Sequence, residues 1–211
     1  MNKPVIIFCA TALGKSVLDI FKSNQVVVYG FLDDDKKLHD TEIEEVTVLG
    51  ATDDASFLKI IGKDCDAFIA SDDNKWKASM IRSLREEREA MPVNAIHSTA
   101  QISPSAVLHH GSLIAQGVRI GANAKVGNHC ILHAGAIIDF DATIGDFVQI
   151  GAGSIINSAV VIEDGAFVGS GATIVSGVTI GQNARVGAGS VVIGEVGKKS
   201  TVFGNPAQKV K

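Results

Sequence analysis

The residue types that do most covalent and metal chemistry are few in this chain and widely spaced. The three cysteines, Cys9, Cys65 and Cys130, lie far apart and form no Cys-x-x-Cys pair. They provide neither a disulfide framework nor a zinc ribbon, and no metal site is predicted. Unpaired cysteines are typical of a reducing compartment, so we expect a cytoplasmic protein.

The charge balance and the distribution of apolar residues exclude further classes. The 211 residues carry a formal net charge of −4. Binding to a nucleic-acid backbone requires a basic face, so no nucleic-acid partner is expected. The apolar run near the N-terminus is short and continues into a helical pattern, and no stretch approaches eighteen apolar residues. Neither a signal peptide nor a membrane span is predicted.

The composition changes near Pro92. Residues 1–92 hold 29 of the 42 charged residues and four of the 22 glycines, whereas residues 93–211 hold thirteen charged residues and eighteen glycines. We therefore predict two domains, residues 1–92 and residues 93–211.

The first domain alternates strand and helix patterns. Strands are predicted for VIIFCA, QVVVYGFLDDD and DAFIAS, and helices for KSVLDIFKS and KWKASMIRSLREER. This order predicts a small parallel Rossmann-like α/β domain.

The second domain is a repeat with a period of six. From Ile96 to Val192 every sixth residue is Ile, Leu or Val, at seventeen positions in all, and the residue four further on is always Ala, Ser, Val or Cys. This pattern predicts a parallel β-solenoid in which three hexapeptides close one triangular coil. Seventeen hexapeptides make a little under six coils, or a prism about 27 Å tall.

The residue before each inward aliphatic is expected to point outward from a flat face. One face is mixed in polarity, and the other two carry large apolar residues, namely Ile137 and Ile155 on one and Leu113, Ile131 and Phe167 on the other. Such patches predict a closed homotrimer of parallel prisms with contacts through Ile131, Ile137, Ile155 and Phe167. The alternative is that outward Ile and Val serve strand propensity alone.

Four segments resemble a known family: VVVYGFLDDD, the DDNK segment at residues 72–75, GAIIDFDATIGDFVQIGAG, and the ending VFGNPAQKV. In these segments the chain resembles the left-handed β-helix sugar O-acyltransferases of the sialic acid O-acetyltransferase type, a group that includes bacterial N-acetyltransferases of nucleotide-linked amino sugars. The resemblance covers essentially the whole chain. It implies a left-handed coil and transfer of acetyl from acetyl-CoA to the amino group of a nucleotide-linked amino sugar, for cell-surface glycan biosynthesis.

The resemblance also implies that the α/β domain binds the nucleotide, through a glycine-rich turn after the first strand and acids after the second. Here the turn is Cys9–Lys15, which keeps only Ala10, Gly14 and Lys15 of the family's Gly-Ala-Gly-Gly-His-Gly-Lys. A helix N-terminus offers N–H groups to a pyrophosphate, so binding is expected, and a purely structural turn is the alternative. The residues expected to bind substrate are Thr11, Gly14, Lys15, Asp33, Asp34, Asp73, Asn74 and Phe140.

In the family, a histidine in a β-helix corner, followed by an acid, deprotonates the sugar amine as it attacks the thioester. The matching corner is residues 139–141, and the histidine position is Phe140, which cannot take a proton. The expected catalytic residues are therefore Asp141 and His133, whose imidazole is suited to replace the missing base. The alternative is attack by a neutral amine that needs no base. His97 and His109 share the hexapeptide position of His133 without any suggested role.

By the same resemblance, acetyl-CoA is expected in the groove between neighbouring prisms, near the upper coils. Gln149 takes a second family position, usually a histidine, beside the thioester carbonyl. The residues expected to contact the cofactor are Gln149, Gly151, Ser158, Gly169, Gly187, Lys198 and Lys209. Lys198 and Lys209, with Lys199 and Lys211, form a basic cluster that either meets the CoA phosphates or is simply solvated.

Three functions remain open at this point. They are sugar N-acetylation, sugar O-acetylation, and a non-catalytic trimeric protein that binds a nucleotide sugar or acts as a scaffold. A hydroxyl nucleophile needs a base more than an amine does, so Phe140 favours nitrogen over oxygen. The same Phe140 and the altered glycine turn are the features that favour the non-catalytic alternative.

Overall fold

The protein, described here as a computed structural model covering residues 3–210, divides into two compact units. The first unit ends at Ser98 and the second begins at Thr99. Lys211, one of the lysines in the predicted basic cluster, lies outside the described residues.

The first unit is an α/β domain. In chain order its elements are β1 (Val5–Phe8), α1 (Ala12–Ser23), β2 (Val28–Leu32), β3 (Glu42–Ile43), β4 (Val46–Gly50), α2 (Ala55–Leu58), β5 (Asp66–Ile69), α3 (Asn74–Arg88) and β6 (Ala95–Ile96). Five strands form one sheet in the order β3-β4-β2-β1-β5. Strands β4, β2, β1 and β5 are parallel, and β3 pairs antiparallel with β4 at the edge.

This arrangement confirms the three predicted strands, the two predicted helices and the Rossmann-like class. All four residues of β1 are buried, as a central parallel strand requires. Helix α1 buries Val17, Leu18 and Phe21 at helical spacing, and the Phe21 ring meets the Phe68 ring edge-on at 6.1 Å between centroids. The hairpin β3–β4 and helix α2 were not predicted from the sequence.

The second unit is a left-handed parallel β-helix, as predicted. As far as Val191–Val192 its strands have two residues each, and as far as Thr173–Ile174 each strand pairs in parallel with the strand eighteen residues further on. Face 1 contains β7 (Gln101–Ile102), β10 (Arg119–Ile120), β13 (Ile137–Ile138), β16 (Ile155–Ile156), β19 (Thr173–Ile174) and β22 (Val191–Val192). Face 2 contains β8 (Val107–Leu108), β11 (Lys125–Val126), β14 (Thr143–Ile144), β17 (Val161–Ile162) and β20 (Thr179–Ile180). Face 3 contains β9 (Leu113–Ile114), β12 (Ile131–Leu132), β15 (Gln149–Ile150), β18 (Phe167–Val168), β21 (Arg185–Val186), β23 (Thr201–Gly204) and β24 (Ala207–Lys209).

The core of the β-helix is the predicted aliphatic column. Every sixth residue from Ile114 to Val192 is buried, and the small residues between them are buried as well. Buried polar atoms are satisfied by the stacking. The Ser154 hydroxyl, for example, donates to the Gly169 carbonyl of the next coil at 2.9 Å.

The repeat changes at its C-terminal end. Ile180 bridges to Val196 and Arg185 pairs with Thr201, so the last coil advances sixteen residues instead of eighteen. Val196 and Val202 still fill the core. Strand β24 then turns back antiparallel on β23.

One expectation about the outward residues was wrong. Leu113 and Ile131 were expected to be exposed on an open apolar face, yet they are only 1% and 3% exposed in the single chain. Parts of the same chain cover them, so Ile131 is not available for a contact with another subunit. On the same face the Arg185 guanidinium lies 4.5 Å from the centre of the Phe167 ring, which shields it by a cation–π contact. Face 1 keeps its predicted character, since Ile137 is half-buried and Ile155 is 37% exposed.

No helix within residues 3–210 is long and apolar enough to cross a bilayer. The same residues include no group of three or more potential metal ligands that could hold an ion.

Candidate active site

A pocket of about 210 Å³ opens where the parallel strands of the α/β unit end. The turn between β1 and α1 lines one side of it, with Cys9, Thr11 and Leu13, and residues 70–72 after β5 line the other. Ligands of open parallel sheets bind at this carboxyl edge, beside a helix N-terminus. The pocket therefore lies where the sequence predicted the nucleotide.

Two of the residues predicted to bind substrate in this turn have structural roles. Thr11 is the N-cap of α1, and its hydroxyl accepts from the Gly14 amide at 3.5 Å. Gly14 is buried, and a side chain there would collide with the Cys9 carbonyl oxygen. Lys15 is exposed on the first turn of the helix. Gly14 is thus required by close packing, whether or not a nucleotide binds.

The acids after β2 hold neighbouring turns in place. Asp33 accepts from the Ala10 amide at 2.8 Å through Oδ2, and from the Asp35 amide at 2.9 Å through Oδ1. Asp34 accepts from both the amide and the hydroxyl of buried Thr52, at 2.9 and 2.8 Å. Both aspartates therefore lie at the carboxyl edge of the sheet, and both serve the fold.

Cys9 is the unusual residue of this pocket. Its φ is +72°, a left-handed conformation that favours glycine, and glycine is the residue that the family resemblance implies at this position. Burial, and to a smaller extent the carboxylates of Asp33, Asp34 and Asp72, together raise the pKa of the Cys9 thiol to about 12. The thiol is consequently neutral at physiological pH and unreactive as a nucleophile.

The DDNK segment starts helix α3. Asp73 is its N-cap and accepts from the Lys75 and Trp76 amides at 2.9 and 3.2 Å, and Asn74 is the first helical residue. Ser71 and Asp72, which the sequence analysis did not select, line the pocket. Their position directly after a buried strand is the signal that could have identified them.

In the β-helix, the predicted catalytic residues lie on two different corners. The corner between faces 3 and 1, here called the histidine corner, carries His133. Gly151, Gly169 and Gly187 occupy the same position in the next three coils, at intervals of eighteen residues. The corner between faces 1 and 2, here the phenylalanine corner, comprises residues 121–123, 139–141 and 157–159 of successive coils.

The two corners are too far apart to share one reacting atom within a single chain. Residues 136–139 alone extend about 10 Å along face 1 between them. Hydrogen-bonded proton transfer needs heavy atoms about 3 Å apart. His133 can therefore act at the Phe140 corner only if it belongs to a second subunit.

Phe140 is 50% exposed at its corner. Its amide donates to Asp139 Oδ1 at 2.8 Å, and its carbonyl accepts from the Ala159 amide at 3.1 Å. Asp141 has a φ of +58°, and its carboxylate accepts from the Asn123 side-chain amide at 3.2 Å. With phenylalanine beside it, this aspartate has no imidazole to orient.

The predicted cofactor residues divide in the same way. Gly151, Gly169 and Gly187 share the histidine corner, where a side chain would collide with Ser170, Ala188 and Phe203 respectively, so coil stacking itself requires glycine there. Ser158 belongs to the phenylalanine corner, where its hydroxyl donates to the Ser176 hydroxyl at 3.1 Å.

Three further cofactor predictions lie elsewhere. Gln149 is on face 3, between Ile131 and Phe167 of the adjacent coils. Lys198 lies on the third corner, between faces 2 and 3, and Lys209 is in the C-terminal hairpin. Both lysines are exposed.

An open groove of about 630 Å³ lies on face 1 and ends at the phenylalanine corner. It crosses three coils and is lined by residues 100–103, 119–121 and 137–139. Gln101, Ser103, Arg119 and Asp139 contribute its polar side chains, and none of the four was among the site residues predicted from the sequence.

Comparisons with known proteins agree with this two-part architecture. The family model of the PglD N-terminal domain matches residues 4–84, and that of the bacterial transferase hexapeptide repeat matches residues 141–176 and 159–194. A search of curated proteins found no match.

Several solved structures match the chain over nearly its whole length. A histidine-to-alanine mutant of GDP-perosamine N-acetyltransferase from Caulobacter crescentus, in complex with CoA and GDP-perosamine, is 30% identical, with 99% of this chain and 97% of that chain covered and a TM-score of 0.89. WeeI from Acinetobacter baumannii AYE is 25% identical, with 98% and 99% covered and a TM-score of 0.85. The acetyltransferase domain of PglB from Neisseria gonorrhoeae FA1090 shares the fold at 24% identity, with all of both chains covered and a TM-score of 0.90.

These matches define a class, a PglD-type α/β domain followed by a hexapeptide-repeat transferase domain. The chain belongs to the family of left-handed β-helix sugar acetyltransferases that act in bacteria on nucleotide-linked sugars.

Proposed function

We propose that this protein transfers acetyl from acetyl-CoA to the amino group of a nucleoside-diphosphate-linked amino sugar, in the cytoplasm, for cell-surface glycan biosynthesis. The observation that carries the proposal is the full-length match, at 30% identity, to an N-acetyltransferase whose structure contains CoA and GDP-perosamine. The match includes both the α/β unit and the β-helix, so it supports a nucleotide-sugar site as well as an acyl-transfer site.

The nucleotide belongs in the pocket of Cys9, Thr11 and Leu13. The N-terminus of α1 directs backbone N–H groups and a positive dipole toward this pocket, which favours a diphosphate. Lys15 adds a positive charge on the same turn of helix. Asp33 and Asp34 each accept two hydrogen bonds from the protein. Their carboxylates have further lone pairs, which can accept from donors on the base or the ribose.

Acetyl-CoA belongs along the histidine corner, where the three coils after His133 carry only small residues. Gly153, Gly171 and Gly189 of that corner have open space around them, so a narrow chain such as pantetheine can approach the backbone. Gln149 serves as a hydrogen-bonding group at its edge, Ser158 can do so only from the phenylalanine corner of a neighbouring subunit, and Lys198 and Lys209 serve the phosphates.

A homotrimer completes the site. Face 1 exposes Ile155 and half exposes Ile137, and a closed ring covers such a face on every subunit. The trimer also brings the histidine corner of one subunit toward its neighbour, the only arrangement in which His133 can reach the Phe140 corner. Removal of the amine proton then falls either to His133 of the neighbour, with Asp141 nearby, or to no protein base at all, if the amine arrives neutral.

The test is to incubate the protein with acetyl-CoA and GDP-, UDP- and dTDP-linked amino sugars and to follow release of the CoA thiol. We expect thiol release with one nucleotide amino sugar, and a product that gains one acetyl group by mass spectrometry. Acetyl-CoA without sugar is the control for hydrolysis. Mild base distinguishes the bond formed, because it removes an O-acetyl ester and leaves an N-acetyl amide intact.

Phe140 favours a second candidate function, a trimeric protein that binds nucleotide sugars without chemistry. In that case calorimetry detects binding of a nucleotide amino sugar, while no panel member releases CoA thiol at any pH between 6 and 9.

A further inference from the structure

The groove on face 1 carries opposite charges at a fixed separation. Arg119 lies in register with Ile137 of the next coil, and Asp139 follows Ile137 by two residues. A strand rise of about 3.3 Å and a coil spacing of about 4.8 Å place the Cα atoms of Arg119 and Asp139 about 8 Å apart. Among residues 3–210 neither side chain is held in an ion pair, and Arg119 is exposed.

The Asp139 carboxylate is oriented by the backbone. Its Oδ1 accepts from the Phe140 amide at 2.8 Å, which fixes the side chain at the end of the groove. Its Oδ2 accepts no hydrogen bond from the described residues. The groove thus offers an oriented negative group beside the position that lacks a histidine, and a positive group one sugar ring away.

We propose that this groove binds the amino sugar of the acceptor, with Asp139 as the catalytic residue on the amino group and Arg119 donating to the sugar hydroxyls. The inference deepens the proposed function and rests on it. A guanidinium offers several N–H donors to hydroxyl oxygens, and a carboxylate on a cationic nitrogen is a charge-assisted hydrogen bond. A sugar ring with an amine at one end and hydroxyls along it complements both groups.

The chemical step balances without another reactant beyond water. The ammonium held by Asp139 first loses a proton to water. The neutral amine nitrogen then attacks the thioester carbon of acetyl-CoA, and the C–N bond forms as the carbonyl electrons move to oxygen. The nitrogen is then cationic, and one of its protons moves to Asp139. The carbonyl re-forms, the C–S bond breaks, and the CoA thiolate leaves and takes up the proton from Asp139. The products are the N-acetyl sugar and the CoA thiol.

A carboxylate is sufficient for this step because the proton leaves a cationic nitrogen. It is insufficient for a sugar hydroxyl, which is uncharged and a far weaker acid at the moment of attack. Asp139 therefore explains how a site without a histidine at position 140 acetylates nitrogen and not oxygen.

The experiment compares Asp139→Asn with a matched control. Asparagine keeps an oxygen for the Phe140 amide, so the corner is preserved. Asp164→Asn is the control, because Asp164 also accepts a backbone amide, that of Asp146 at 2.9 Å, from a corner outside the groove. We expect Asp139→Asn to lower kcat at least a hundredfold at pH 7, with the loss shrinking as pH rises and the free amine predominates. Asp164→Asn should stay within twofold of the starting protein.

The hydroxyl-binding end of the groove is tested with Arg119→Gln. We expect KM for the nucleotide sugar to rise about tenfold or more, with kcat within threefold. Light scattering on the same variant checks the assembly, since Arg119 and Asp139 of different subunits would also suit an ion pair between chains. If Arg119→Gln dissociates the assembly while KM stays unchanged, Arg119 belongs to the subunit interface, and its proposed role in binding the acceptor is refuted.

A binding measurement separates this inference from the proposed function. Calorimetry compares the tightest-binding nucleotide amino sugar of the panel with the same nucleotide sugar bearing a hydroxyl in place of the amine. We expect about tenfold preference for the amine, lost in Asp139→Asn, even in a protein that releases no thiol. A kcat of Asp139→Asn within threefold of the starting protein, an unaltered amine preference, or no binding of any amino sugar would each refute the inference.

Discussion

Replacing Cys9 with glycine is the most informative change in the nucleotide pocket. Cys9 has φ +72° and lines the 210 Å³ space in front of α1. The substitution relieves the left-handed strain and removes two heavy atoms from the pocket wall. We expect nucleotide affinity to increase about tenfold, which corresponds to about 1.4 kcal/mol.

The stability of the protein should change little, because three effects of similar size oppose one another. Relief of the left-handed conformation contributes about 1–2 kcal/mol. The added freedom of glycine in the unfolded chain costs about 0.5–1 kcal/mol, and loss of the half-buried side chain costs up to about 1 kcal/mol. The net change in the free energy of unfolding therefore lies within about 1 kcal/mol, which thermal or denaturant unfolding can check.

Calorimetry with GDP, UDP and dTDP measures the affinity, and Cys9→Ala is the matched control. Alanine removes the sulfur but keeps the Cβ and the strained φ. If nucleotide affinity increases in both variants, the cause is the space that the sulfur occupies. If it increases in Cys9→Gly alone, the cause is closer approach of the phosphate to the backbone. Unchanged or weaker binding in Cys9→Gly would refute the reasoning, since it would mean that no phosphate approaches this turn.

Three other changes test the remaining parts of the site. Ile155→Asp should dissociate the trimer in light scattering, because an unpaired carboxylate in a closed apolar interface costs several kcal/mol; an unchanged mass would remove face 1 from the interface. Asp34→Ala should weaken nucleotide binding by about 1–3 kcal/mol in calorimetry, and Asp34→Asn, which keeps an acceptor for Thr52, should weaken it less; equal affinity in all three proteins would move the site elsewhere. With Asp139 as proton acceptor, His133→Asn should change kcat less than threefold, whereas a loss of a hundredfold, partly recovered by Phe140→His, would make His133 the base.

Much of the fold follows from the sequence because its signals are periodic and local. The column from Ile114 to Val192 is buried as its spacing predicts, since a coil of eighteen residues places every sixth residue on the axis. The acids after β2 were assigned to the nucleotide site through the family resemblance, and strand direction puts them at the carboxyl edge. Strand β4 was missed because Val46–Gly50 lies among charged residues and its pairing with β2 is a long-range contact.

Features that depend on tertiary contacts were not predictable in the same way. Leu113 and Ile131 have the outward position of their hexapeptides, and only the folded chain reveals that they are covered. Asp33 was interpreted as a group for base or ribose, whereas its bonds to Ala10 and Asp35 come from the approach of β2 to the turn after β1. A sequence pattern indicates the end of the strand at which a carboxylate lies. It does not indicate which backbone amide donates a hydrogen bond to that carboxylate.

The position of the catalytic base depends both on the repeat period, which the sequence shows, and on a groove, which only the folded chain shows. In a coil of eighteen residues, side chains that differ by eighteen are neighbours, so repeat arithmetic already stacks His133 with Gly151 and Phe140 with Ser158. Phe140 follows His133 by seven residues, and the strand of face 1 lies between them. The same repeat period therefore excludes contact between these two side chains in one chain. The residue beside Phe140 that combines a fixed carboxylate with an open groove is Asp139. The amide of the next residue fixes the carboxylate, whereas the groove exists only because three coils come together. The base was therefore sought among histidines because residue type is visible in a sequence, whereas the groove that makes an aspartate useful is visible only in the fold.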